Sequence, residues 1–273
     1  MPFCALICRS LINRVNVLEA KLSQMENRLA TLQNSNAMAI DPYVTVQTAG
    51  TPKVVFSGVN VQIVNGLGRT DSINGLGNLI IGYDKERSPV SPAFQECSIG
   101  GTVTWANDIN YNSQLCTAAG GVMATNHKNG SHYLIVGDEH NYSQYSGVVF
   151  GHRNTSNRAW ATVTGGHQNH AGGEAASVSG GQRGLAQGTW SSITGGLLNY
   201  ADGAGSSVNG GERNAATARA GASICGGVQN AASGDYSHVS GGMNNAAQFG
   251  ISSILGGTSQ SSTTVGQTIP ALP

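Results

Sequence analysis

The sequence predicts an all-β fold, a parallel β-solenoid, preceded by a short N-terminal parallel coiled coil of three helices. Three observations predict it. Gly-Gly pairs recur about every fifteen residues from Gly165 to Gly257, a Val or Ile stands at fixed distance before each, and Leu repeats at heptad spacing near the N-terminus. A fifteen-residue period is far too short for a helical hairpin, and β-branched residues at fixed phase favour strands.

Residues 1–10 read as an N-terminal leader. Their short apolar run lacks a basic start and is shorter than an ordinary secretory signal. Residues 11–33 follow as the coiled coil. Leu11, Val15, Leu18, Leu22, Met25, Leu29 and Leu32 are spaced 4, 3, 4, 3, 4, 3. Val15, Leu22 and Leu29 take a positions; Leu11, Leu18, Met25 and Leu32 take d. Arg14 and Lys21 fall at g, Glu19 and Glu26 at the following e, so a parallel assembly forms Arg14–Glu19′ and Lys21–Glu26′ pairs. Arg14-Val15-x-x-Leu18-Glu19 also resembles the pattern of three-stranded parallel coiled coils. The alternative is one amphipathic helix packed on its own domain.

Residues 40–147 read as irregular first coils of the solenoid. Val59 to Val64, Leu79 to Ile81 and His132 to Gly137 are rich in β formers and separated by Asn-Gly turns. Residues 84–130 interrupt them as a looped insertion carrying Cys97, Trp105, Tyr111 and Cys116. Insertions in a solenoid project from one face, often the binding face. A Cys97–Cys116 disulfide is expected to close it; a loop of that size is worth about 3 kcal/mol in the chain-entropy model. The bridge requires an oxidising compartment, and two unrelated reduced thiols are the alternative.

Residues 148–257 carry the repeat itself. Val163, Val178, Ile193, Val208, Ile224, Val239 and Ile254 precede the second glycine of each pair by three residues. Asn169, Asn199, Asn214, Asn230 and Asn245 follow it by three, with Gly184 and Gln260 at the same phase. Ala171, Ala186, Ala201, Ala216, Ala232 and Ala247 come two residues later. One turn per repeat stacks each column at about 4.8 Å. Val/Ile facing Ala implies a core one side chain deep, Gly-Gly supplies tight corners, and stacked Asn can bond along the ladder. Residues 258–273, rich in Ser, Thr and Gln, read as a cap and tail.

The composition excludes several partners. There are 39 glycines among 273 residues, 10% of residues are charged, and 14 basic residues balance 14 acidic ones. Such a chain has no electrostatic footprint for nucleic acid. No stretch reaches the 18 or more apolar residues of a spanning helix, so no integral membrane segment is expected. The five cysteines form no C-x-x-C pair and the histidines lack zinc-finger spacing, so neither metal nor cofactor is expected.

The run Ser177-Val178-Ser179-Gly180-Gly181 and its kin, most of them followed by Asn-x-Ala, resembles the YadA-like heads of trimeric autotransporter adhesins. The resemblance covers residues 148–257. It implies a left-handed parallel β-roll in a homotrimer joined to a coiled-coil stalk, at the cell surface or outside the cell. Here the repeat is one residue longer than the family's, the stalk precedes the rolls, and no membrane barrel pattern follows, so the family's export mechanism is not carried over. Phage and injection-system tail fibres use similar architecture. The expected partners are further copies of the chain and, by multivalency, a glycan or matrix polymer.

No catalytic residue is expected. The sequence has no G-x-S-x-G, no Gly-Lys phosphate loop, no H-E-x-x-H and no complete G-x-G-x-x-G. Trimeric solenoid acyltransferases have a six-residue period that is absent here. An enzyme with its site in the 84–130 insertion is the remaining alternative. Three sets of residues share repeat phases and are candidates for contact. His152 and His167, with His140 nearby, could hold a metal or anion. Arg153, Arg183 and Arg213, with Gln168 and Gln229, could grip a carboxylate or a sulfated sugar. Trp160, Trp190 and Tyr236 could stack on sugar rings. The plainer reading is solvated surface for the His and Arg sets, and cover of the core edge or trimer seam for the aromatics.

Overall fold

The computed structural model describes residues 2–33, 39–87, 96–99, 102–104, 122–124 and 126–270. The chain divides into two units, Met1–Gln62 and Ile63–Pro273.

The first unit opens with helix α1, Pro2–Gln33. Pro2 is suited to a first helical turn, and no Gly or Pro follows before the helix ends. The segment read as a leader is therefore helical, because nothing in residues 3–10 breaks propagation from the heptad. After a 3-10 turn at Asp41–Tyr43, strands β1 (Val44–Gln47) and β2 (Lys53–Phe56) pair antiparallel, Val44 opposite Phe56. This corrects the expectation of solenoid coils from residue 40: Gly50 at φ 74° reverses the chain, and a hairpin cannot stack as a parallel coil. Val59 to Val64 also carries no strand. β propensity without a paired neighbour does not make one.

The second unit begins with two Asn-Gly-Leu-Gly turns. The Asn65 and Asn74 side chains accept the Leu67 and Leu76 N–H groups at 3.0 and 3.1 Å. Strand β3 (Leu79–Ile81) then enters the solenoid. The chain leaves it for β4 (Glu96–Ile99), β5 (Thr102–Thr104) and β6 (Val122–Ala124), an antiparallel sheet in the order β5-β4-β6. It returns in β7 (Leu134–Asp138), which pairs parallel with β3, Ile80 beside Ile135. Among the described residues, the segment between β3 and β7 thus holds its own sheet. The insertion ends before Gly130, since Lys128 already bridges in parallel to Tyr142.

From there the chain winds a parallel β-solenoid of about nine turns. Among the described residues one wall is an eleven-stranded sheet holding the Val/Ile column, and the other an eight-stranded sheet holding the Ala column. The step between coils is fourteen residues from Val148 to Thr162, fifteen from Ser177 to Ser192, and sixteen from Ser207 to Ser223. The segment read as a tail continues the roll. Thr268–Ile269 pairs with Ser253–Ile254, fifteen residues earlier, and Ser262 occupies the buried Ala column. Its phase is intact; the Gly-Gly pair, the Asn and the Ala are missing, with Gln260 and Ser262 at the last two positions.

The core is one side chain deep. Val163, Val178, Ile193, Val208, Ile224, Val239 and Ile254 face Ala171, Ala186, Ala201, Ala216, Ala232 and Ala247, all fully buried or within 1% of it. The first coils are filled by Tyr133 and Tyr142, ring centroids 5.5 Å apart. At the corners, backbones nearly touch. A Cβ on Gly211, at φ 82°, would stand 2.1 Å from the Gly227 carbonyl of the next coil. Buried Asn side chains tie coil to coil. Asn199 Nδ2 donates to the Gly195 and Gly211 carbonyls, and its Oδ1 accepts the Asn214 N–H at 3.0 Å. His140 opens this column: its Nδ1 accepts the Asn154 N–H at 3.2 Å.

Candidate functional site

Three surfaces follow from the fold. The first is the helix seam. A heptad places seven apolar side chains on one stripe, and among the described residues nothing covers them. Leu11, Val15, Leu18, Leu22, Met25, Leu29 and Leu32 are each between 46% and 66% exposed. Arg14, Glu19, Lys21 and Glu26 are exposed beside them, positioned for pairing between helices.

The second is the root of the insertion. The run Asp84-Lys85-Glu86-Arg87 is four consecutive charges in a weakly charged chain. Arg87 is 6% exposed and donates to the carbonyls of Glu139, Arg153 and Asn154 and to Thr155 Oγ1. It satisfies acceptors at a wall that the solenoid itself leaves open. Asp84 pairs with Lys128 Nζ at 2.7 Å and accepts the Tyr142 hydroxyl at 2.9 Å. The outgoing and returning strands are joined by the Arg87 N–H to Asn126 Oδ1 at 2.7 Å. Sequence patterning did not single out this clamp, although the charge run was its signal. Cys116, Trp105 and Tyr111 lie outside the described residues, and Cys97 is described only in its backbone; the Cys97–Cys116 pairing therefore lies outside them too.

The third is the corner after each Gly-Gly pair. Arg153, Gln168, Arg183, Arg213 and Gln229 share one column, all with φ between 53° and 58°. The preceding column brings His152 and His167 together as stacked rings, centroids 5.2 Å apart and 7° from parallel. Arg153 Nε donates to Glu139 Oε2 at 2.6 Å, and Glu139 Oε1 lies 3.6 Å from His152 Nε2. Arg213 pairs with its neighbour Glu212. Arg183 is exposed and, among the described residues, its side chain donates to Gln168 Oε1 at 3.1 Å. Partial burial, then the charges of His152, Arg153 and Arg183, hold His167 below the ordinary imidazole range. His140 does not belong to this surface; it is wholly buried and its Nε2 donates to the Val136 carbonyl at 3.2 Å.

Trp160, Trp190 and Tyr236 stand on a further corner with φ of 58° each, all exposed, Trp160 edge-on to Tyr145 at 5.5 Å. Cys225 is an exposed free thiol, 4.0 Å from His238 Nε2. Among the described residues no group of three His, Cys, Asp or Glu side chains converges as metal ligands, and no helix is long and apolar enough to cross a membrane. Comparison of the chain with protein-family models and with curated proteins finds no match in either.

Proposed function

We propose that the chain is the subunit of a non-enzymatic homotrimeric fibre or adhesin head, its helices wound into a parallel coiled coil and its solenoid a left-handed β-roll. The observation that supports this best is the seam of seven exposed heptad residues on α1, an apolar stripe of the kind that marks a protein interface. Three copies would bury it and bring together three identical rolls. A roll of small residues offers a flat, rigid, weakly charged surface, which suits weak contacts multiplied by valency. The setting is the cell surface or the extracellular space, with glycan or matrix polymer as ligand.

A tail-fibre component of a phage or injection system is the second reading. It is favoured by the position of the helix ahead of the roll rather than behind it. Light scattering on the whole chain tests the shared premise. The expected mass is three times 28.0 kDa; a stable monomer would refute both readings.

A further inference from the structure

We infer that the corner formed by His152, His167 and Arg183 binds the anionic groups of an acidic polysaccharide, and binds them more tightly as the pH falls. Only the idea of threefold display rests on the proposed trimer; the site itself lies within one roll.

The argument begins with charge. Glu139, Arg153 and Arg183 are the ionised groups that act on His167, together with His152. Glu139 is matched by Arg153 at 2.6 Å, so Arg183 is left as a surplus cation on an exposed edge. Its backbone N–H is bonded to the His167 carbonyl at 3.1 Å, and its Nε donates to Gln168 Oε1 at 3.1 Å, beside the imidazole column. With neutral histidines the cluster carries one net positive charge; with both protonated it carries three. Stacked at 5.2 Å, two imidazolium rings repel each other unless an anion lies between or across them. An incoming sulfate or carboxylate therefore favours protonation, and protonation favours the anion. The bound state holds more protons, so affinity rises as pH falls through the imidazole range.

The repeat then selects the kind of anion. Arg153, Arg183 and Arg213 occupy alternate coils of one column, so their spacing along the axis is about 10 Å, twice the strand separation. That is the length of a disaccharide unit. A chain bearing one anionic group per disaccharide meets the surplus cation at Arg183 and, one step to either side, the carboxylate-paired guanidinium groups of Arg153 and Arg213, whereas a single small anion uses only the central corner. The guanidinium fork is suited to both sulfate and carboxylate. The three arginines stand at exposed or half-exposed positions along the column, which suits a linear polymer.

The test measures binding of the full chain to immobilised dextran sulfate, polygalacturonate, neutral dextran and duplex DNA at pH about 5.5 and about 7.5. Light scattering on the same samples reports assembly separately. The wild type should bind one or both acidic polysaccharides and not dextran, several-fold tighter at the lower pH. Arg183→Gln should weaken binding about threefold per corner at both pH values, the scale of one exposed ion pair, and more in a multivalent assembly. His152→Gln with His167→Gln should leave binding at the higher pH and remove the pH dependence. Dextran sulfate alone or polygalacturonate alone would identify the anion as sulfate or carboxylate. The inference fails if neither polysaccharide binds above dextran, if Arg183→Gln binds like the wild type, or if DNA binds as tightly. A monomer that still binds refutes the trimer and leaves the site; a trimer that binds nothing does the reverse.

Discussion

Replacing Asn214 with Ala should destabilise the roll locally by about 2–5 kcal/mol. The Asn214 side chain is wholly buried and makes three hydrogen bonds: Nδ2 to the Gly210 carbonyl at 2.8 Å and the Gly227 carbonyl at 3.0 Å, and Oδ1 from the Asn230 N–H at 3.0 Å. Alanine removes all three. The Asn230 N–H is left buried without its acceptor, at about 1–3 kcal/mol, and each carbonyl loses a bond worth about 0.5–1.5 kcal/mol. The Gly227 carbonyl retains the Glu212 N–H, which trims the upper end. Repeat arrays do not unfold as one unit, so a single global midpoint understates a local loss. The measurement is therefore hydrogen exchange resolved at Asn230, alongside urea unfolding followed by circular dichroism. Exchange at Asn230 should quicken by well over tenfold. Unchanged exchange together with a stability change below about 0.5 kcal/mol, the scale of a neutral surface substitution, would refute the reasoning. The reverse substitution is available in the same molecule. Gly184 interrupts the column, and its backbone N–H already reaches Asn169 Oδ1 at 2.8 Å. Gly184→Asn should restore the missing rung and raise stability by about 1 kcal/mol, provided Asn169 Oδ1, 3.2 Å from the new Cβ, gives way slightly.

Gly211→Ala should disrupt the roll, because its Cβ meets the Gly227 carbonyl at 2.1 Å, whereas Gly210→Ala meets nothing within 4 Å and should be tolerated; thermal unfolding of the pair decides this. Leu18→Asn with Leu22→Asn should shift the chain towards monomer in sedimentation experiments, since a buried unpaired amide costs about 1–3 kcal/mol in each helix. Burial holds His140 below its ordinary value of 6.5. The unfolded chain then binds the extra proton first, so this contribution is complete above that value and is lost as pH falls below it. His140→Asn, which installs the residue typical of the column, should flatten the midpoint-against-pH curve between about pH 6.5 and 5. Removing residues 88–125 while keeping the Arg87–Asn126 junction should leave the assembly intact and abolish adherence if the insertion is the specific contact. Retained adherence would move the contact to the roll.

Much of this fold is legible in the sequence because a solenoid writes its contacts at one period. Val178 and Ile193 are neighbours in space because they are fifteen residues apart, so phase alone predicts pairing, burial and the Asn column. Where the period fails, so does the reading. Val44 to Phe56 has strand composition, but Gly50 sets its pairing locally. Residues 258–270 lack a Gly-Gly pair but keep the phase, so composition hid a coil that counting from Ile254 to Ile269 would have found. The candidate surfaces divide in the same way. Shared phase correctly placed His152 beside His167 and Arg183 beside Gln168. It also suggested His140 as their companion, whereas an imidazole three residues after Gly137 occupies the Asn position and is buried there. Arg87 belongs to no column, and its four acceptors lie more than fifty residues away.

The direction of the hydrogen bonds in the roll has a mechanical consequence. Successive coils are linked along the axis, with Ser192 bonded to Ser206, Thr194 to Val208, Leu197 to Gly211 and Tyr200 to Asn214. Tension between the two ends of the second unit therefore acts along these bonds rather than across them. The load reaches the outermost coil first and peels it before the next is strained. Each release frees one repeat of chain, so extension should proceed in short, nearly equal steps at low force, with Asn-bonded coils holding longest. A roll of this kind resists bending and sideways shear while yielding gradually to pull, and it can rewind from whichever coil remains.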